Sequence, residues 1–299
     1  MSYYLDKNKC KLLFLIKRVV YVSELFKIGF SFVKWRGGAF MKKWLFLVMI
    51  ALLWAGNVQA ALRTEVVEYK HGDVLLEGYL VYDDVVKGKR PGVIVVHEWM
   101  GHNPYVRMRA EQLAKMGYIA LAIDMYGKGI RAKDSKEAAS LAGLYRADRP
   151  LMRARANAGL EVLKKHPLTE VKRVAAIGYC FGGGTVLELA RSGAEVAGVV
   201  SFHGNLDTPN PADAKNIKGK VLVLHGGDDP FVKDDQVVKF EEEMRKAGVD
   251  WQIVIYGGAV HSFTNPDAGN DPSKGAAYNE KTDRRSWEAM KSFFGEIFK

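Results

Sequence analysis

Three features of the chain predict an α/β fold, with a mostly parallel central sheet and helices on both faces. From Pro91 onward, short continuous apolar runs alternate with longer amphipathic segments. A run apolar on both faces marks a strand of a buried parallel sheet, and the alternation is that of βαβ units. One such run passes through Gly178-Tyr-Cys-Phe-Gly-Gly-Gly184 into a segment of helical character, a strand–turn–helix junction too tight for side chains at its glycines. No internal repeat, low-complexity tract or linker interrupts residues 61–299. One domain accounts for them.

Residues 64–70 and 74–82 alternate apolar and polar about the turn His71-Gly72-Asp73, as two antiparallel strands do. Residues 84–92, with their lysines and a proline, read as a surface loop that runs into the strand 91–96. Residues 105–116 have helical spacing with Gly117 as their stop, and 118–123 form a strand. Two helices follow at 134–145 and 151–165, the second ended by Pro167. The strand 171–177 leads into the glycine-rich turn, and the helix after it is expected over 185–191. Strands at 196–202 and 221–224, a helix at 234–247, a strand at 251–256 and a long helix at 278–298 complete the chain.

The net charge of +10 invites a nucleic-acid partner until it is located. Residues 1–60 hold ten Lys/Arg against two Asp/Glu, so eight of the ten charges lie there and the other 239 residues carry +2. No nucleic-acid partner is expected. Residues 41–60 have the three parts of a signal peptide: Lys42 and Lys43, an apolar centre at 44–55, and the small-residue site Val58-Gln59-Ala60. Such a segment begins a protein. Met41 is therefore the expected start, with 1–40 an over-extended N-terminus. The apolar centre falls short of the roughly 20 residues that span a bilayer, so an exported, periplasmic mature chain without stable membrane insertion is expected. Cys10 lies in the extension, leaving Cys180 the mature chain's one cysteine and no internal disulfide.

In a parallel sheet, ligands sit at the carboxyl ends of the strands. Those ends read His97-Glu98-Trp99, then Cys180, then His225-Gly-Gly-Asp-Asp229-Pro230, then Gly257-Gly-Ala-Val-His261-Ser-Phe263. In chain order these supply a nucleophile, an acid and a histidine. At the start of a helix the Cys180 thiol would feel the positive end of the macrodipole, which favours thiolate. Either Asp228 or Asp229 could serve as the acid.

With Val-Ile-Val-Val-His-Glu98, Asp124-Met-Tyr126, Gly178-Tyr-Cys-Phe-Gly-Gly183, Gly226-Gly-Asp-Asp-Pro-Phe-Val232 and His261-Ser-Phe263 in place, the sequence resembles the dienelactone hydrolase family, of the α/β-hydrolase fold. The resemblance implies Cys180 as nucleophile, His261 as general base and Asp229 as the carboxylate that orients it. Glu98 is implied to lie near the thiol and to take its proton when substrate binds. Backbone amides of Phe181 and Trp99 are implied as the oxyanion hole, and Lys128, Tyr126 and Phe263 as substrate-binding groups. The expected substrate is a small ester or lactone, opened through a thioester acyl-enzyme. A thioesterase or acyl transferase on the same triad, or a non-catalytic small-molecule binding protein on this scaffold, remain alternatives. Enzymes that give the family its name bind a carboxylate with two arginines, where this chain has Gly127-Lys128 and Thr264-Asn265. A dienelactone is therefore a doubtful substrate.

No cofactor and no metal are expected. Gly127-Lys-Gly-Ile-Arg-Ala132 fits a dinucleotide pattern, but no strand ending in an acid follows it. The two histidines of His97-Glu-Trp-Met-Gly-His102 are five apart after a strand, not four apart on one helix face. The oligomeric state is left open.

Overall fold

The computed structural model describes residues 62–299; the segments expected as a signal peptide at 41–60 and an N-terminal extension at 1–40 lie outside them. Eight strands form one sheet: β1 (Leu62–His71), β2 (Val74–Asp83), β3 (Arg90–Val96), β4 (Ile119–Ile123), β5 (Thr169–Tyr179), β6 (Gly198–Phe202), β7 (Lys220–Gly226) and β8 (Trp251–Tyr256). Their order is β1-β2-β4-β3-β5-β6-β7-β8. β2 runs antiparallel to both β1 and β4, and every other pair is parallel. The helices are α1 (Pro104–Lys115), α2 (Ser135–Ala147), α3 (Arg149–Lys165), α4 (Phe181–Arg191), α5 (Asp234–Ala247) and α6 (Glu280–Ile297).

Period-two alternation sorts the strand side chains into two cores. On β4, Ile119, Leu121 and Ile123 face the layer of α2 to α5, while Ala120 and Ala122 face α1 and α6. β3 divides likewise, with Ile94 and Val96 on one side and Val93 and Val95 on the other. Each such valine, leucine or isoleucine contributes about 1.5–3 kcal/mol by leaving water, so a register slip is strongly opposed. The chain leaves β3 toward β4 on one side and reaches β5 on the other. The strand order therefore reverses between β3 and β5, where the carboxyl ends open a crevice.

Several element bounds shift by a few residues from the sequence reading, and two of the shifts bear on packing. Arg90 belongs to β3 rather than to the preceding loop: it is buried, its amide donates to Leu168 O at 2.9 Å, and its Nη1 donates to Asp83 O at 2.7 Å. α4 begins at Phe181, so the glycine cluster is helical rather than a prelude to the helix. Glycine is required there by contact. A Cβ on Gly178 would lie 2.0 Å from Gly182 O, one on Gly182 2.3 Å from Val96 O, and one on Gly183 2.7 Å from the Gly204 Cα. The far end of α4 is fastened by Arg191, which is buried and forks onto both oxygens of Glu243 on α5 at 2.7 and 2.8 Å while meeting Glu188 at 3.0 Å. Removing one member of such a buried set strands the others, a loss of about 3–5 kcal/mol.

Two glycine replacements test this account. Gly182→Ala must displace backbone and should lower urea-unfolding stability by at least about 2 kcal/mol. Gly143→Ala on α2 meets open space and should raise it by roughly 0.5–1 kcal/mol.

Candidate active site

The tight β5–α4 junction leaves Cys180 at φ 53° and ψ −114°, a conformation costly for any residue with a Cβ and tolerated only where the surroundings over-determine it. Its amide donates to Phe202 O at 3.0 Å and to His203 Nδ1 at 3.2 Å. The thiol is thereby thrust past the sheet to meet the loop after β8. His261 Nε2 stands 3.1 Å from Cys180 Sγ, and His261 Nδ1 stands 2.8 Å from Asp229 Oδ2. All three residues are buried.

Asp229, not Asp228, faces the histidine. Its second oxygen accepts the amides of Phe231 at 2.8 Å and Val232 at 3.3 Å, so the turn after β7 holds the carboxylate rigidly, while Asp228 is exposed. Burial by itself would lower the basicity of His261. The facing sulfur and Asp229 outweigh it and push the imidazole up to about 10, so the ring favours its charged form.

Glu98 is buried at the end of β3 but makes no hydrogen bond to the sulfur among the described residues. Its Oε2 accepts Asn265 Nδ2 at 2.6 Å and its Oε1 the Ser262 hydroxyl at 3.4 Å. It thus grips the same loop that carries His261. Burial raises its carboxyl above the ordinary range, opposed by the Asn265 hydrogen bond and by attraction to His261.

The amides of Phe181 and Trp99 have no hydrogen-bond partner among the described residues. A reverse turn, Gly101 N–H to Glu98 O at 3.1 Å, shapes the Trp99 loop. Tyr126 pins that loop through its hydroxyl on Trp99 O at 2.9 Å, and its ring lies 5.6 Å from that of Phe181. Tyr126 therefore touches both residues whose amides are unpartnered.

Two expected substrate contacts are placed otherwise. Phe263 is wholly buried, its ring against His203 and Tyr256, because its place in the loop turns it into the core; it offers a ligand no surface. Lys128 is exposed, and its ammonium is paired with Glu68 on β1. The glycines of 127–132 lie in a turn ahead of α2, not at a helix start. His97 is a core histidine: Met125 N–H donates to its Nε2 at 3.2 Å, so Nδ1 carries the proton to Glu98 O at 2.6 Å. His102 meets Ala122 O at 3.2 Å.

Sequence reasoning missed Phe231, whose half-exposed ring stands edge-on to His261 at 5.4 Å. It also missed His203, at the carboxyl end of β6. The strand-end rule that found Glu98 and Cys180 would have found His203 had it been applied to Phe202-His203-Gly204.

Residues 76–298 match the model of the dienelactone hydrolase family. The solved structure of a protein called m3DLH aligns with TM-score 0.77 at 42% identity, over 80% of this chain and 100% of that one. A dienelactone hydrolase-like promiscuous phosphotriesterase from metagenomic libraries, P91, aligns with TM-score 0.76 at 41% identity and the same coverage. Protein usf of Aquifex pyrophilus is 28% identical over 78% of this chain and 98% of its own length. A provisionally named carboxymethylenebutenolidase of Aquifex aeolicus is 28% identical over 79% and 99%.

The raised carboxyl of Glu98 has a measurable sign. An unfolded glutamate ionises near 4.5 and the folded one only at higher pH, so the native state loses stability as pH rises through that interval. Glu98→Gln keeps the acceptor for Asn265 without the charge. In urea titrations its stability relative to wild type should grow as pH rises from about 4 and level off above the folded value.

Proposed function

The chain belongs to the dienelactone hydrolase family, and from that premise we propose that it hydrolyses a carboxylic ester or lactone by a cysteine-dependent route. The observation that carries this reading is the buried line of Sγ, imidazole and carboxylate, with gaps of 3.1 and 2.8 Å. Cys180 Sγ attacks the acyl carbon. The proton held on His261 Nε2 passes to the departing oxygen as the C–O bond breaks, leaving a thioester on Cys180. His261 then takes a proton from water, the hydroxide attacks the thioester, and the acid leaves as the thiolate returns. Asp229 fixes the tautomer and stabilises the imidazolium. The unpartnered amides of Phe181 and Trp99 supply the oxyanion hole. Glu98 acts on the thiol through the loop that it shares with His261, and its charge attracts the imidazolium.

Side chains at the two departures from the family pattern support an uncharged acyl group over a carboxylate. Asn265 donates to Glu98, and Lys128 is occupied by Glu68. A second reading, cleavage of neutral phosphotriesters by the same thiol, is favoured by the likeness to P91. Export to the periplasm is proposed on residues 41–60 alone.

A panel of p-nitrophenyl esters, uncharged lactones and a neutral aryl phosphotriester distinguishes these. Cys180→Ala should abolish turnover on whichever class the wild type accepts. Asp229→Asn should lower kcat by on the order of 10³–10⁴-fold, as loss of the orienting carboxylate does in comparable triads. Undiminished hydrolysis by Cys180→Ala would exclude the covalent route, and no hydrolysis by the wild type would favour a binding protein.

A further inference from the structure

From the Cys180 amide runs a buried polar chain that the reaction above does not use. The Cys180 amide can only donate, so His203 Nδ1 is its acceptor. The proton of that ring must then sit on Nε2, which donates to Thr264 Oγ1 at 2.7 Å. Thr264 lies three residues beyond His261. Its hydroxyl also meets Tyr105 OH at 2.6 Å, and its carbonyl accepts Arg109 Nη2 at 2.6 Å. Arg109 is in turn anchored by Asp283 on α6 at 2.6 Å.

We propose that His203 is a positioning residue for the thiol–imidazole pair, tying the nucleophile turn to the histidine loop through one bond on each ring nitrogen. The proposal rests on the reading of Cys180 and His261 given above. The two loops hang from different strands, and both carry left-handed residues, Cys180 at φ 53° and Ser262 at φ 55°. Two strained loops whose side chains must meet at 3.1 Å need a tie between them. His203 itself stands at φ 40°, and its ring stands edge-to-face 5.2 Å from that of His261.

The charge state of the ring suits the task. The titratable or charged groups around it are Cys180, His261, Arg109, His225, Tyr105 and Tyr179. Burial first, then repulsion by His261 and Arg109, holds His203 well below the usual histidine range. It stays neutral while His261 carries the proton, so Nδ1 remains free to accept. A charged His203 would lose that acceptor and place a second cation beside the imidazolium.

Each bond can be cut alone. His203→Asn can place Oδ1 near the site of Nδ1 and tolerates positive φ, but it falls short of Thr264. Thr264→Val removes the acceptor of Nε2–H and keeps the shape, and Thr264→Ser restores the hydroxyl. Two quantities are read on folded full-length protein: steady-state kinetics on the accepted ester, and the rate of Cys180 alkylation by iodoacetamide, with Cys180→Ala as the blank for Cys10. Displacement of reacting groups by 1 Å can cost about 100-fold, so His203→Asn and Thr264→Val should lower kcat by roughly 10- to 100-fold. KM should stay within about twofold, alkylation should slow by about 5-fold or more, and Thr264→Ser should recover most of the loss. Rates within twofold of wild type in Thr264→Val, or a loss equal to the unfolded fraction by near-UV circular dichroism, would overturn the proposal. So would an undiminished loss in Thr264→Ser. Should His203→Asn fail to fold, the two Thr264 variants decide alone. Alkylation requires no turnover, so a wild type without hydrolysis would sink the hydrolase reading while leaving the role of His203 separately measurable.

Discussion

No side chain fits between β5 and α4 where they join, and the site depends on that exclusion. With Gly178, Gly182 and Gly183 lacking Cβ atoms, the helix settles against Val96 of β3 and Gly204 after β6. Strand and helix thus meet at a single residue with no room to relax. The conformational cost at Cys180 is met by the packing of both elements, and its result is a thiol set above the sheet at a fixed height. Everything that approaches the sulfur, from β3, β7 and β8, arrives on loops fitted to that height.

Charge is organised around the same point by a short list of contacts. Asp229 is fixed by two amides as well as by His261, so its orientation does not depend on the histidine it serves. Glu98, Ser262 and Asn265 form a second clamp on the far side of the His261 loop. The imidazole, which Cys180 and Asp229 push toward its charged form, sits beside two buried acids, Asp229 and Glu98, each with its own neutral donors. Such an arrangement holds a proton at Nε2 without a counter-ion from solvent.

Much of this was legible in the sequence. The apolar runs placed the parallel strands because a strand buried on both faces has no polar side to confuse the pattern. The strand-end rule gathers Glu98, Cys180, His261 and the pair Asp228-Asp229, the family resemblance selects Asp229, and the structure brings Cys180, His261 and Asp229 together. What failed did so for identifiable reasons. The start of α4 was set too late because glycines read as turn formers, whereas here they are demanded by close packing within a helix. Arg90 reads as loop because nothing in its charge signals that Asp83 O receives the guanidinium inside while its amide pairs with Leu168 O. Phe263 followed a catalytic motif but faces inward, and no spacing rule tells the two sides of an irregular loop apart. Lys128 was matched by position, and a partner on β1, sixty residues away in sequence, claims it.

The seven histidines of the chain carry a further consequence. His97, His102, His166, His203 and His225 all hold their protons less tightly in the fold than histidine does in water, with burial the leading cause in each. An unfolded chain would ionise all five near 6.5, whereas the native state resists. The stability this confers is complete above about that pH and drains away as acidity increases. His261 has the opposite sign, and its contribution fades only toward about 10. Mild acid is therefore the direction in which this fold is vulnerable, and a habitat whose pH drifts downward would thin its folded population.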